Sequence, residues 1–286
     1  MLLLQTKTYL PNLAIIGAMK CGTTSLHDYL SLHPQISMSK FKELDFFTED
    51  LNGKKGLDWY RSHFKQPTEI RGESSPNYTK CHLFPGVPDR MHRIIPDAKL
   101  IYMVRDPIQR IISHYVHRVA RGLERRSIDE VLADRGSGNY IKTSLYFMQL
   151  ERYLEYYPAS NILIVLQEDL YHDRLQTLQK IFKFLNVDPN FTDSRFWHTA
   201  HDSSFKTQPT DLRLKLSKFP GGRALAKAVS TIKPELVDRQ ISKPILSRST
   251  YDYLAEVLIE DSHKLSVFCG NSFKNWCQLS LSVDRS

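Results

Sequence analysis

The sequence contains no run of about twenty consecutive apolar residues, so no membrane-spanning helix is expected. Near the start only Leu2, Leu3 and Leu4 form an apolar run, without the longer apolar core and small-residue cleavage site of a secretory leader. Cysteine is scarce. Cys21, Cys81, Cys269 and Cys277 form no CxxC pair and no spacing with histidine that would make a zinc finger, so reduced thiols in a cytoplasmic protein are expected. No repeat, low-complexity tract or convincing linker divides the chain. A content of 41% hydrophobic, 24% charged and 11% aromatic residues excludes a disordered, collagen-like or coiled-coil protein. One domain over residues 1–286 is expected, since a chain of about 300 residues buries about 75% of its unfolded surface.

Positive charge is in excess: 39 Lys and Arg against 31 Asp and Glu give +8. Such an excess favours an anionic ligand. The basic residues are dispersed, with Arg121 to Arg126 the densest cluster, and no zinc-finger or RNA-binding signature accompanies them, so nucleic acid is not an expected partner.

Leu13 to Ile16, Leu100 to Val104 and Asn161 to Leu166 are short apolar runs of the buried-strand type, and Thr68 to Arg71 is a weaker strand candidate. Helical spacing covers Thr23 to Leu32, Pro107 to about Val119, Tyr146 to Tyr157, Leu175 to Leu185 and Tyr251 to Phe268. His201 to Pro209 is expected to be a polar loop. Strands alternating with helices predict an α/β fold with a parallel sheet covered on both faces.

Two constellations carry chemistry. Gly17-Ala18-Met19-Lys20-Cys21-Gly22-Thr23-Thr24-Ser25 joins a strand to a helix, the context in which backbone N–H groups cradle a phosphate. Two glycines stand four residues apart, as in an ATPase loop, but Thr23 occupies the position after the second glycine and the lysine, Lys20, lies inside the loop. No convincing aspartate follows an apolar strand to hold Mg²⁺. The second constellation, Arg105-Asp106-Pro107-Ile108-Gln109-Arg110-Ile111-Ile112-Ser113, places Arg105 at a strand's C-terminal end and Ser113 two turns into the next helix. In an open parallel sheet both would face one crevice. Arginine suits bidentate phosphate contact, whereas Asp106 reads as a helix cap.

KCGTTS after one strand and RDPxxRxxS after another resemble the phosphosulfate loop and the 3′-phosphate site of sulfotransferases that use 3′-phosphoadenosine 5′-phosphosulfate. Lys42-Glu43-Leu44-Asp45-Phe46-Phe47 resembles the segment carrying the acidic base in the heparan-sulfate-type branch and its bacterial relatives, and Glu73-Ser74-Ser75-Pro76-Asn77-Tyr78 resembles the branch's E-x-[ST]-P-x-Y segment. The likeness continues through Tyr146 to Tyr157, Glu168 to Leu170 and the loop His201 to Lys206. Ser74 stands where glycosaminoglycan-directed members often carry lysine, and no cysteine pair flanks His201 to Lys206.

This resemblance implies a three-layer, P-loop NTPase-like α/β sandwich with a central parallel sheet of about five strands, in a soluble protein of bacterial type. It implies 3′-phosphoadenosine 5′-phosphosulfate as donor, no metal, and a hydroxyl or amine acceptor that is a small molecule or a glycan. Donor binding then falls to Lys20, Cys21, Gly22, Thr23, Thr24, Ser25, Arg105, Ser113 and Lys206, with Lys20 also catalytic because a fixed cation stabilises charge building on the leaving oxygen. Glu43 becomes the base that takes the acceptor proton, and Asp45 would share its face if the segment is extended. Phe46 and Phe47 could anchor that segment, while Cys21 reads chiefly as a small loop-filling residue and the histidines as structural or surface groups. Two rival readings stay open: a P-loop kinase of small molecules, and a basic nucleotide- or glycan-binding protein without turnover.

Overall fold

The computed structural model describes residues 9–134, 138–197, 207–216 and 238–270, with isolated positions at 219, 221, 224, 227–229, 273 and 276. Strand β1 (Leu13–Gly17) leads through α1 (Thr23–Leu30) to β2 (Ile36–Met38), and α2 (Leu57–Arg61) precedes β3 (Ile70–Ser74). Helix α3 (Val87–Ile94) precedes β4 (Lys99–Val104), and α4 (Pro107–Ala120), α5 (Ile128–Ala133), α6 (Gly138–Lys142) and α7 (Tyr146–Leu154) lead to β5 (Ile162–Leu166). Beyond it lie α8 (Gln167–His172), α9 (Arg174–Leu185), β6 (Thr207–Pro209), α10 (Asp211–Leu216), β7 (Asp238–Gln240) and α11 (Arg248–Cys269).

The five strands β2-β3-β1-β4-β5 form one sheet in that order, and every pair is parallel. Every residue of β1 is buried, and five of the six in β4, which is why the central strands read as continuous apolar runs rather than as alternating ones. Because the strands run the same way, their C-terminal ends share one edge of the sheet. That edge carries the Gly17–Gly22 loop, Ser75, Arg105 and Gln167. β1 is the switch point, with β3 and β2 to one side and β4 and β5 to the other, and such a point opens a crevice at the strand ends.

The expected α/β fold with about five parallel strands is what the structure has. Differences lie in short or mixed-composition elements. β3 runs on to Ser74, three residues past Arg71, because Gly72, Glu73 and Ser74 pair with Leu13, Ala14 and Ile15 of β1. Pairing overrides the poor strand propensity of Gly-Glu-Ser. β2, three residues long, is too short to show a period. Thr207 to Pro209, expected as part of a polar loop, pairs antiparallel with Asp238 to Gln240. The final helix starts at Arg248, where Ser247 caps it by accepting from the Thr250 N–H.

The main core surrounds the sheet, and a second cluster joins Ile108, Ile111 and Ile112 of α4 to Val131, Leu132, Leu254 and Leu258 of α5 and α11. Asp261 of α11 accepts from the N–H groups of Phe147 and Met148 at 2.9 and 2.8 Å, capping the first turn of α7. Among the described residues no helix is long and apolar enough to cross a membrane.

At the end of β1 the packing excludes any side chain. A Cβ on Gly17 would collide with the side chain of Thr79, in the 3₁₀ turn Pro76–Thr79 that follows β3. Gly17→Ala should therefore destabilise the fold by about 1–3 kcal/mol, the scale of overpacking. Urea unfolding within about 0.5 kcal/mol of the unsubstituted protein would show that the turn can recede instead.

Candidate active site

The loop after β1 is shaped for an anion. Gly22, at φ 85°, forms the N-cap of α1, no side chain caps that end, and the first turn holds no acidic residue. The first-turn N–H groups of a helix have no intrahelical partner, so those of Thr23, Thr24 and Ser25 and the helix dipole point at one spot. Lys20 also has positive φ, 74°, and is half-buried. The loop is held to the sheet by Ala18 N–H donating to the Met103 carbonyl at 2.6 Å and is closed by Cys21 N–H donating to Ala18 at 3.1 Å.

Cys21 departs from the ligand role. It is completely buried, with Sγ 3.6 Å from the Tyr146 hydroxyl, and burial pushes the thiol up to about 11 despite Arg110 and Arg105 nearby. Its side chain fills the underside of the loop, and its N–H is already bonded.

Arg105 directly follows β4, and its Nε is buried without a partner. Asp106 caps α4, accepting from Gln109 N–H at 2.7 Å, while its own N–H donates to Glu168 Oε1 at 3.0 Å. Ser113 lies two turns into α4, half-buried. Arg110, of the same motif, is wholly buried: Nε donates to Ser144 Oγ and Nη2 to the Tyr140 carbonyl, both at 2.5 Å. A buried orphan N–H on Arg105 and an uncapped helix end are both features that an anionic nucleotide would satisfy.

The acidic segment is not extended. Glu43 and Asp45 have φ of 62° and 48°, and they part company: the Glu43 side chain is 55% exposed whereas Asp45 is 7% exposed. The shared face expected of an extended segment does not form. Glu43 N–H donates to the Ser74 carbonyl at 2.8 Å, and Asp45 N–H to Ser75 Oγ at 3.0 Å. Phe46 and Phe47 do anchor the segment; Phe46 stacks on Tyr60 with centroids 4.2 Å apart. Nζ of Lys42 donates both to Thr23 Oγ1, at 3.2 Å, and to Glu43 Oε1, at 3.3 Å. One ammonium thus joins the phosphate loop to the exposed carboxylate, a contact that adjacency of Lys42 and Glu43 alone does not reveal.

Beneath this segment lies Glu73, at the end of β3 and fully buried. It accepts from Tyr60 OH at 2.5 Å, Ser75 Oγ at 2.7 Å and Tyr78 OH at 2.9 Å. Burial nevertheless dominates and pushes its carboxyl up to about 7; burial likewise pushes Asp45 up to about 6, against the hydrogen bond from Asn77 Nδ2 at 3.0 Å. The E-x-[ST]-P-x-Y pattern pointed to Glu73 without assigning it a part. Several histidines are structural: His27 bonds the Ser39 carbonyl, His33 that of Asp188, and His114 is buried against Tyr140 and held neutral by burial and Arg110. Lys206 and the loop His201 to Lys206 lie outside the described residues.

The family model described as sulfotransferase domain matches residues 10–222. Heparan sulfate glucosamine 3-O-sulfotransferase 5 of Mus musculus is 33% identical over 204 residues, covering 67% of this chain and 58% of that protein. The human bifunctional heparan sulfate N-deacetylase/N-sulfotransferase 2 is 33% identical over 220 residues, 70% of this chain but 24% of that protein. The chain therefore spans little more than half of the first relative's length and a quarter of the second's. A sulfotransferase from Alicyclobacillus acidocaldarius has the same fold, with a TM-score of 0.70, 23% identity, and coverage of 94% of this chain and 100% of that one.

The buried carboxyls set a pH dependence. Glu73 is raised from its ordinary 4.5, so its contribution to stability is fully present below about pH 4.5 and is lost as pH rises through about 7, where the folded protein ionises it. Glu73→Gln has no charge to bury. Between pH 5 and pH 8 the substituted protein should lose roughly 2 kcal/mol less stability than the unsubstituted one. Chemical unfolding at the two pH values checks this, and parallel losses would show that Glu73 ionises without hindrance.

Proposed function

The chain belongs to the sulfotransferase domain family, and from that premise we propose that it transfers a sulfuryl group from 3′-phosphoadenosine 5′-phosphosulfate to a hydroxyl or amine of a carbohydrate acceptor by in-line displacement. The observation that carries this reading is the Lys42 bridge, which sets the Glu43 carboxylate two hydrogen bonds from a hydroxyl of the anion loop. A base beside a phosphate loop is what an acceptor hydroxyl requires if it is to attack a group held by that loop. The heparan sulfate relatives, one a glucosamine 3-O-sulfotransferase and the other an N-sulfotransferase by name, support an amino-sugar acceptor.

When bound, the nucleotide supplies the activated sulfuryl group. The N–H groups and hydroxyls of Thr23, Thr24 and Ser25 hold its 5′ side, and the unpartnered Nε of Arg105, with Ser113, takes the 3′-phosphate. Lys206 is assigned to the nucleotide by the family resemblance alone. Lys20 stabilises the negative charge that builds on the departing oxygen, and Glu43, exposed where an acceptor can approach, accepts the proton. No metal is required, because Lys20 and the loop N–H groups supply the charge stabilisation. Residues 1–286 act as one domain, a reading supported by the Asp261 cap on α7. The buried free thiol of Cys21 suits a reducing compartment such as the cytoplasm.

Calorimetry separates this reading from a general nucleotide binder. 3′-Phosphoadenosine 5′-phosphate should bind far more tightly than AMP or ATP, and Arg105→Ala should weaken it by roughly 1.5–3 kcal/mol. Equal affinities for AMP and the 3′-phosphorylated nucleotide would remove Arg105 and Ser113 from the donor site.

Turnover assigns the catalytic roles. With donor and a panel of heparan-type oligosaccharides in buffer containing EDTA, mass spectrometry should detect an added sulfo group. Lys20→Ala should slow this by about 10²–10³-fold. Glu43→Gln should slow it by about 10²–10⁴-fold while leaving nucleotide affinity nearly unchanged. Near-native turnover in Glu43→Gln would move the base elsewhere, and activity that vanished in EDTA and returned with Mg²⁺ would favour a kinase.

A further inference from the structure

We propose that Lys80 is a second cation of the transfer centre, donating to a non-bridging oxygen of the transferring sulfuryl group while Lys20 serves the leaving oxygen. The inference rests on the donor reading given above.

Lys80 follows the 3₁₀ turn Pro76–Thr79 and is 8% exposed. Its Nζ donates to Asn77 Oδ1 at 2.7 Å and lies 3.2 Å from Sδ of Met19, the residue before Lys20. An ammonium has three N–H donors. The carboxamide oxygen satisfies one, a thioether is only a weak acceptor, and none of the described carboxylates is within hydrogen-bonding distance. Burial and the Arg110 guanidinium depress Lys80 to about 8, while Asp45 and Glu43 act in the opposite direction. It therefore remains mostly charged at neutral pH. A buried charge short of acceptors is costly unless something else pairs with it.

Position identifies the missing partner. On one side Nζ touches the loop that would hold the donor. On the other, Asn77 links it to Asp45, since Asn77 Nδ2 donates to Asp45 Oδ2 at 3.0 Å, and Asp45 belongs to the segment that carries Glu43. The group lying between a donor loop and an acceptor base is the one being transferred. As the sulfur bond to the acceptor oxygen forms, that to the nucleotide oxygen breaks, the electron pair leaves on the nucleotide and the acceptor proton passes to Glu43. Throughout, Lys80 balances charge on the sulfuryl oxygens without gaining or losing a proton.

Lys80→Met keeps the length of the side chain and removes the charge; Lys80→Arg keeps the charge. Two quantities are read for each: the affinity for 3′-phosphoadenosine 5′-phosphate, which lacks the sulfuryl group, and the rate at which that nucleotide is released from the sulfated donor with a heparan-type oligosaccharide or water as acceptor. Lys80→Met should leave the affinity within about threefold and lower the rate by about 10²-fold, with Lys80→Arg at least about tenfold faster than Lys80→Met. If Lys80→Met does not fold, Lys80→Gln takes its place with the same expectations. Release within about threefold of the unsubstituted rate would overturn the proposal, as would loss of affinity in step with rate, which would make Lys80 a nucleotide or folding residue. An unsubstituted protein that does not bind 3′-phosphoadenosine 5′-phosphate would overturn the donor reading itself, an outcome distinct from failure of Lys80 alone.

Discussion

The acidic segment of the candidate site hangs on one buried carboxyl. Glu73 sits at the end of β3 with hydroxyls of Tyr60, Ser75 and Tyr78 around it, which ties α2, the 3₁₀ turn and the strand end to a single group. Ser75, fixed by donating to Glu73, uses the same oxygen to accept the Asp45 N–H. Tyr78, fixed in the same way, accepts the Phe47 N–H at 3.5 Å. The acidic segment is thus held by hydroxyls whose orientation Glu73 dictates. The same turn brings Thr79 against Gly17, so the wall behind the acidic segment is also the wall against the phosphate loop. A fully buried carboxyl is costly, and the three donors offset only part of that cost, leaving it raised.

With the segment so held, geometry separates two carboxylates that sequence spacing leaves equivalent. Asp45 turns inward to Asn77, and burial raises it; Glu43 turns outward to Lys42. Only the second is open to solvent. Lys42 contributes more than charge here, since its bond to Thr23 holds the carboxylate near the loop. Burial depresses Lys42 and Glu43 opposes this only in part, so the charge at the bridge depends on the neighbouring carboxylate.

β1, β4 and β5 were legible in the sequence because strands buried on both faces show themselves as apolar runs without any knowledge of their neighbours. β2 and the β6–β7 pair were not, since three residues display no period and their partners are distant in sequence. The strand-turn-helix setting of the Gly17–Gly22 loop and of Arg105 was legible for a related reason: that order is local. Cys21 was placed in the loop correctly, but whether its side chain faces ligand or core depends on Tyr146, 125 residues away. The left-handed backbone at Glu43 and Asp45 is likewise set by the Ser74 carbonyl and the Ser75 hydroxyl, thirty residues on, and not by anything in the segment itself. What remained hidden was tertiary contact between loops.

The two arginines of RDPxxRxxS show the same distinction acting on charge. Arg110, a turn inside α4, is wholly buried and donates to Ser144 and the Tyr140 carbonyl, whereas Arg105, at the strand end, is only half-buried; each keeps one buried nitrogen without a partner. Burial is the main cause that depresses Arg110, Lys80 and His114, and neighbouring charge adds to it, from Arg105 at Arg110 and from Arg110 at Lys80 and His114. Arg105, Arg110 and Lys80 thus gather positive charge at the edge of the sheet, offset in part at Lys80 by Asp45 and Glu43. An anion bound beside Arg105 would be attracted by this charge in addition to the contacts it makes. By linkage the same energy stabilises the folded chain whenever the anion is present. The crowding of positive charge at the strand ends and the attraction for an anionic ligand therefore have one origin.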